Sequence, residues 1–342
     1  MRTRDYADAD AGAWDAFVSR HPHGSPFHLT AWKKSIEETF GYRPHYLLVE
    51  DDGGLRGVLP IFQVTTFAIG NALISVPFAV YGGMLADGPE AAAALKDRVQ
   101  ALARSLAVDY VELRNAYPEQ CSGFERDRRH VTFTQELGGD EAALLGAIPR
   151  KTRYTVRKAL SQAFTTRRQQ TDFAAFADLY ADNLQRLGTP SFPSRHFERL
   201  IAHFGSGVDI REVLHEGRVV AAVMSFYFRD QVLPYYGAAD HRLKELAPTS
   251  FMYFDQMRWA AQNGYRTFDF GRSAKDSGAF GFKAHWGMRE RELPYERLLV
   301  NGKALPHHAP DNFHFRTGIR IWRSLPRSVA RALGPKVVRL AP

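Results

Sequence analysis

The sequence predicts an α/β (α+β) fold: two tandem copies of one mixed, mostly antiparallel sheet, each with flanking helices. Two observations inside the chain carry this prediction. A hairpin pattern occurs twice with the same elements after it, and the spacing between copies is far longer than the period of a solenoid. The third is size and composition. At 342 residues the chain is long enough for two domains of about 100–200 residues. Its hydrophobic share of 45% and charged share of 24% are ordinary for globular proteins and exclude disordered, collagen-like and coiled-coil classes.

The first hairpin pairs 46–50 (YLLVE) with the apolar run 58–62 (VLPIF) across the turn residues 51–54 (DDGG). The second pairs 210–214 (IREVL) with 219–224 (VVAAVM) across 215–218 (HEGR). β-branched runs around Gly- and Asp-containing turns read as β-hairpins. A tyrosine beside glycine follows each, Tyr81-Gly82-Gly83 and Tyr236-Gly237. Helical spacing comes next: Leu95, Val99, Leu102 and Leu106 in one copy, Phe251, Phe254, Met257 and Ala261 in the other, with Gly264 as its C-terminal cap. Each copy returns to a short strand carrying one acid, Glu112 or Asp269. Hairpin, strand, helix, strand implies a mixed sheet with helices on it. The boundary is expected near residue 148, giving domains 1–147 and 148–342, with 117–140 closing the first copy. The uncharged stretch 57–86 is long enough to span a bilayer. Its Pro60, Pro77, Gly82 and Gly83 mark it instead as buried strands with turns, so no transmembrane segment is expected.

The formal net charge is +8, unevenly placed. Segments 150–168 and 314–342 together hold fourteen Lys and Arg residues and no acid, which leaves the remainder at net −6. Such clusters attract polyanions: nucleic acid, anionic lipid or phosphorylated substrates. The plain alternative is a pair of solvated helix faces. Pro149 suits the first turn of a helix on which Arg150, Arg153 and Arg157 share one face. The tail 314–342 can dock on the body, lie on a membrane surface or help hold nucleic acid. One cysteine, Cys121, allows no intrachain disulfide and suits a reducing cytoplasm. The acidic turn after the first residues reads unlike a secretion signal, so none is expected. A cytoplasmic location is therefore expected, at the inner membrane face if the tail binds lipid. His21, His23, His307, His308 and His314 show no metal-ligand spacing, so no metal is expected.

Residues 268–273 (FDFGRS), Ser277-Gly278 and 282–287 (FKAHWG) resemble the closing motif of FemAB-related proteins, a branch of the GNAT acyltransferase superfamily. The stretch 150–159 (RKTRYTVRKA) resembles their interdomain helix, and 27–32 (FHLTAW) and 76–83 (VPFAVYGG) also fit. The exosortase/PEP-CTERM-associated subgroup is the most similar. The resemblance covers nearly the whole chain. It implies two tandem GNAT-like domains and transfer of an acyl group to an amine. In characterised members the donor is an aminoacyl-tRNA and the acceptor a peptidoglycan precursor. Two departures stand out. The stretch 239–248 (ADHRLKELAP) lacks the glycines that let a helix N-terminus cradle the CoA pyrophosphate. Lys33 and Lys34 follow Trp32, but not at the position of the acceptor-binding lysine of the peptidoglycan transferases.

Aminolysis of an ester needs an amine to lose a proton, an oxyanion to be stabilised and water to be excluded. It needs no covalent intermediate, which suits a chain without a GxSxG elbow. Lys283 is the expected oxyanion donor, where family members place a lysine near the reacting carbonyl or the donor's terminal phosphate; otherwise it is a surface lysine lying along aromatic rings. Asp269 would accept the amine's proton or orient it, or else pair with Arg272. Arg272 would clamp a phosphate or carboxylate. Tyr236 would donate to the oxyanion or to the leaving 3′-oxygen, Phe282 and Trp286 would stack on an adenine or the acceptor, and all three could equally be core. Tyr81 and Asp87 are expected acceptor contacts. Arg150, Arg153, Arg157 and Lys158 would meet tRNA phosphates.

Three functions follow. The first is aminoacyl transfer from aminoacyl-tRNA to an amine of a cell-envelope or exopolysaccharide precursor. The second is N-acyl transfer from acyl-CoA or an acidic acyl carrier. The third is non-catalytic binding of an anionic polymer or membrane. No cofactor beyond the donor is expected.

Overall fold

The computed structural model describes residues 1–275, 277–301 and 313–342. His307 and His308 lie outside them, as do the side chains of His314 and Arg316. The first half runs β1 (Arg2–Asp5), α1 (Ala11–Arg20), α2 (Thr30–Phe40), β2 (Arg43–Pro44), β3 (Leu47–Asp51), β4 (Gly54–Leu59), β5 (Phe62–Thr66), β6 (Gly70–Ile74), β7 (Leu85–Ala86), α3 (Pro89–Ser105), β8 (Tyr110–Leu113) and β9 (Glu125–Asp127). The chain continues through β10 (His130–Glu136), α4 (Glu141–Ala147), α5 (Arg150–Leu160), β11 (Thr165–Gln169), α6 (Ala174–Leu187), α7 (Ser194–Phe204), β12 (Val208–His215), β13 (Arg218–Phe228), β14 (Gln231–Ala239), α8 (Pro248–Gln262), β15 (Thr267–Asp269), β16 (Ser273–Ala274), α9 (Gly278–Ala284), β17 (Arg289–Glu292) and β18 (Tyr295–Leu299). Two helices close it, α10 (Phe313–Ser324) and α11 (Arg327–Val338).

Both predicted hairpins form, as β3–β4 and β12–β13, but the first returns through 54–59 rather than 58–62, because Pro60 ends the strand and Phe62 opens β5 in another sheet. The second turns on Glu216 and Gly217, both at positive φ, the conformation a tight hairpin needs. The predicted helices are α3 and α8. Gly264, at φ 82°, ends α8 as a left-handed cap. In each half a helix links two parallel neighbours. β6 pairs with β8 across α3, and β14 pairs with β15 across α8. The uncharged stretch 57–86 forms sheet strands, and no helix among the described residues is long and apolar enough to cross a membrane.

The sheets are not divided at residue 148. One runs β1-β3-β4-β7, a second β2-β5-β6-β8-β18-β9, and a third β11-β12-β13-β14-β15-β10-β16 with β17 also on β10. β10, expected to close the first copy, lies in the sheet of the second. Its Val131 and Phe133 are buried with Phe268, Phe270 and Trp286, so burial draws the strand there. β18 crosses the other way. Its buried Glu296 accepts from the backbone N–H of Ser122 (2.7 Å) and Gly123 (2.8 Å) in the first half. Across the seam α2 packs on α7, and Phe27 meets Phe226 and Tyr235 at ring centroid distances of 5.3 and 5.0 Å.

The basic tail folds back onto the body. Arg327 pairs with Asp182 on α6, and Arg331 with Asp178 and Asp182. Beyond α11 the chain is tied to the first half. Tyr42 donates to the Arg339 carbonyl at 2.5 Å, Thr66 to that of Leu340 at 2.8 Å, and Arg114 to that of Pro342 at 2.8 Å.

Candidate active site

The site forms where the two halves share a polar cluster. From the first half comes Tyr81, placed by the glycines after it. A Cβ on Gly82 would sit 2.3 Å from Val76, and one on Gly83 would sit 2.1 Å from the Asn115 amide oxygen. The backbone can run this close only without side chains, and it then delivers the Tyr81 hydroxyl to the second half. There it lies 2.5 Å from the Thr132 hydroxyl on β10 and 3.0 Å from Asp269 Oδ1 at the end of β15. Thr132 is itself 2.8 Å from the same oxygen. The chain turns through Gly271 at φ 67°, and the Gly271 N–H donates to Oδ1 at 2.7 Å.

Asp269 is 5% exposed. Burial raises its pKa above the ordinary aspartate value, against the lowering pull of its donors at Gly271, Thr132 and Tyr81. Its Oδ1 is crowded with donors, while Oδ2 accepts from no described residue. The three oxygens of Tyr81, Thr132 and Asp269 Oδ1 form a triangle that holds two hydroxyl protons when the carboxylate is ionised. One edge therefore lacks a proton. The carboxylate is oriented through Oδ1 and keeps Oδ2 for another partner.

Arg272 follows on the same turn. Its guanidinium lies 5.9 Å from the Tyr295 ring, within electrostatic reach of Tyr235 and Glu112. It makes no ion pair with a described residue, Asp269 included. The pairing that was the plain alternative for these two residues is absent.

Lys283 differs from its expected role. Its ammonium donates to the carbonyls of Phe270 (2.6 Å), Gly271 (3.0 Å) and Arg272 (3.1 Å). An ammonium has three protons, so all are engaged in holding the turn that carries Asp269 and Arg272. Burial depresses its pKa to about 8, although the Asp269 charge pulls the other way. Lys283 lies neither along the surface nor open to an oxyanion.

The remaining expected residues are scattered. Tyr236 is buried among Tyr180, Phe192 and Phe197, with its hydroxyl 2.9 Å from His196 Nε2, away from Asp269. The register between β13 and β14 shifts between Met224 and Ser225, and such a bulge re-aims the side chains beyond it. Tyr235 is the tyrosine that faces Arg272, donating to the Phe78 carbonyl at 2.9 Å. Trp286 is 1% exposed and packs with Phe282, Phe270 and Tyr253, so it is core with no free face for an adenine, while Phe282 is partly buried against it. Asp87 is exposed on the turn before α3, 3.6 Å from Arg20, and does not join the cluster. Tyr81 reaches the site through Asp269 rather than as an open contact.

On α5, Val156 and Ala159 face inward, while Arg150, Lys151, Arg157 and Lys158 are exposed with no ion pair among the described residues. Arg153 is half-buried and donates to the Ile148 carbonyl at 3.1 Å. Tyr154 is 73% exposed between the cations. Thr152 donates to the His285 carbonyl at 2.6 Å, joining α5 to the segment after α9. Sequence reasoning missed Thr132, Tyr235 and Glu296. A lone threonine or glutamate in a strand carries no pattern, and the bulge that chooses Tyr235 has no signature here. Among the described residues no group of three or more His, Cys, Asp or Glu side chains could hold a metal.

Residues 150–284 match the family described as the GNAT acetyltransferase domain. No curated protein matches the sequence. Among solved structures, that of FemX superposes with a TM-score of 0.70 at 17% identity, covering 88% of this chain and 98% of the other. The structure of L-PGS from Bacillus licheniformis aligns at TM-score 0.56 and 13% identity, covering 92% and 96%. A tandem GNAT protein from the clavulanic acid biosynthesis pathway aligns at 0.56 and 11%, covering 89% and 99%. The chain has the tandem GNAT fold, with a GNAT domain matched over its second half, and is an acyltransferase.

Proposed function

We propose that the protein is a FemAB-like enzyme that moves an aminoacyl group from aminoacyl-tRNA to an amine of a cell-envelope or exopolysaccharide precursor. The observation that carries this reading is the open acid beside an unpaired cation. Asp269 is held by Oδ1 with Oδ2 free, and Arg272, three residues further along the same turn, makes no ion pair with a described residue. The acceptor amine gives its proton to Asp269 Oδ2 as its nitrogen bonds to the ester carbonyl. Arg272 faces the oxyanion that forms. When that intermediate collapses, the carbon–oxygen bond to the tRNA breaks, and Asp269 returns the proton to the leaving 3′-oxygen. The Lys283 ammonium keeps the turn in place, and Tyr81 and Thr132 set the carboxylate's angle. The exposed cations of α5 offer a face for tRNA phosphates.

The GNAT domain match favours a second reading, acyl transfer from CoA. The start of α8 weighs against it. Pro248 supplies no N–H, and the N–H groups of Ser250 and Phe251 both go to the Ala247 carbonyl. Little backbone remains to cradle a pyrophosphate. The deciding experiment supplies radiolabelled aminoacyl-tRNA or radiolabelled acetyl-CoA, with hydroxylamine as a surrogate acceptor. Transfer from tRNA that disappears in Asp269→Asn supports the proposal. Transfer from acetyl-CoA alone overturns it.

A further inference from the structure

We propose a second functional surface, remote from Asp269: the cleft between the β5–β6 hairpin and the end of α11 docks the protein on an anionic phospholipid bilayer. The cleft has a volume of about 710 Å³ and is lined by Arg43, Lys336 and Arg339, together with Tyr42, Gln63 and Thr65 among others, and by no carboxylate. Arg43 and Lys336 are exposed and make no ion pair with a described residue. Phe67, at the hairpin tip on the rim of the cleft, is 88% exposed. On α11, Leu333 lies three residues before Lys336, on the same helix face, and is 40% exposed.

Two chemistries therefore meet on one rim. Three cations ask for phosphate, and an aromatic side chain with almost no protein around it asks for an apolar medium. A soluble phosphorylated ligand would satisfy the cations and leave Phe67 in water. A bilayer surface offers both, with headgroup phosphates for the cations and the acyl boundary for Phe67 and Leu333. This differs from the expectation that the whole tail 314–342 is the lipid contact. Arg327 and Arg331 are already paired with α6, and the β5–β6 hairpin, an element from the other end of the chain, supplies the apolar tip.

The test is co-sedimentation of the full chain with vesicles of phosphatidylcholine alone and of phosphatidylcholine mixed with phosphatidylglycerol. It needs no acyl donor or acceptor, so it stands or falls apart from the transfer reaction. The wild type is expected on the anionic vesicles only. Arg43→Gln and Lys336→Gln should each weaken partitioning about fivefold, the effect of one cation near such a surface. Phe67→Ser should weaken it roughly tenfold. Each variant is checked for an unchanged circular dichroism spectrum and melting temperature; since all three side chains are exposed, the fold is expected to persist. Arg150→Gln with Arg157→Gln, on α5, should leave partitioning unchanged. Three results overturn the proposal: equal sedimentation with both vesicles, loss caused by the α5 variant but not by Phe67→Ser, or inorganic phosphate binding in the cleft with no vesicle binding.

Discussion

Replacing Tyr81 by Phe isolates the step on which the proposed chemistry depends. The substitution keeps the ring and removes one hydroxyl. That oxygen lies 3.0 Å from Asp269 Oδ1 and 2.5 Å from Thr132. With Tyr81 gone, the triangle loses one of its two protons. The ionised carboxylate keeps the donors from Thr132 (2.8 Å) and Gly271 (2.7 Å). A hydrogen bond to a charged group is worth about 1.5–3 kcal/mol, and one pKa unit corresponds to about 1.4 kcal/mol. Because Tyr81 divides its hydroxyl between two oxygens, the lower end of that range applies. The direction is fixed: the lost donor favoured the charged form, so the Asp269 pKa must climb further above the ordinary aspartate value. The assay is carboxyl-carbon NMR of protein labelled at aspartate, with the Asp269 signal assigned by its absence in Asp269→Asn. It requires no substrate. Thr132→Val should move the midpoint the same way. An Asp269 midpoint that stays put or falls in Tyr81→Phe would refute the claim that this hydroxyl supports the carboxylate.

The other expectations are more compact. Lys283→Met removes the shared donor of three backbone carbonyls and should cost about 2–4 kcal/mol of stability; an unchanged melting curve would mean that the ammonium holds nothing. Arg150→Gln with Arg157→Gln should weaken binding of every tRNA alike and lower the slope of log affinity against log salt by about 1.5–2, measured by filter binding; an unchanged slope would separate α5 from nucleic acid. His28 and His196 are fully buried, and burial holds their pKa values at about 4 and about 3. Both stay neutral in the fold while the unfolded chain takes up protons near pH 6.5, so stability present above pH 6.5 is lost as pH falls towards 4. Near pH 5 the loss should be roughly 2–3 kcal/mol per pH unit, visible in urea melts. His28→Gln should lower that slope by about 1 kcal/mol per pH unit, and a slope that ignores the substitution would contradict the assignment.

Local pattern carried most of the fold. Hairpins, capped helices and acid-bearing strands depend on neighbours within a few residues, and these stand where the spacing places them. Strand exchange is different in kind. Whether β10 belongs with β9 or with β15 depends on the meeting of Phe133 with Phe268 and Trp286, a contact over more than a hundred residues of sequence. The site shows the same division. Asp269 and Arg272 could be picked out because they adjoin a recognisable turn. Tyr81 was picked for its place in the repeat, but its bond to Asp269 joins the two halves and has no local trace. Tyr236 is named by its place in the repeat, while Tyr235, beside the register shift between β13 and β14, is the tyrosine near Arg272, and nothing local marks that shift. Lys283 is marked by its place in the FKAHWG motif and its charge, and its three carbonyl partners lie eleven to thirteen residues away on a turn whose path is not local.

The two halves also explain why the molecule has one such site rather than two. Each copy ends its helix-to-strand return with an acid followed closely by an arginine: Glu112 with Arg114, and Asp269 with Arg272. In the first copy the pair is closed. Arg114 Nε lies 2.9 Å from Glu112 Oε1, and Arg297 lies 2.8 Å from Oε2. Burial alone would raise the Glu112 pKa, yet these two cations bring it down to about 2. Both carboxylate oxygens are occupied, and Arg114 is spent on the carbonyls of Val76, Ala79 and Pro342 as well. A buried pair so fully satisfied can neither take up a proton nor turn to meet a developing charge. In the second copy Gly271, at positive φ, stands between acid and arginine, and Arg272 makes no ion pair with Asp269. The carboxylate is left with neutral donors only, which orient it without neutralising it. One inserted glycine thus separates a structural ion pair from an acid and a cation that are both free to act, and the first copy then serves the second by lending it Tyr81.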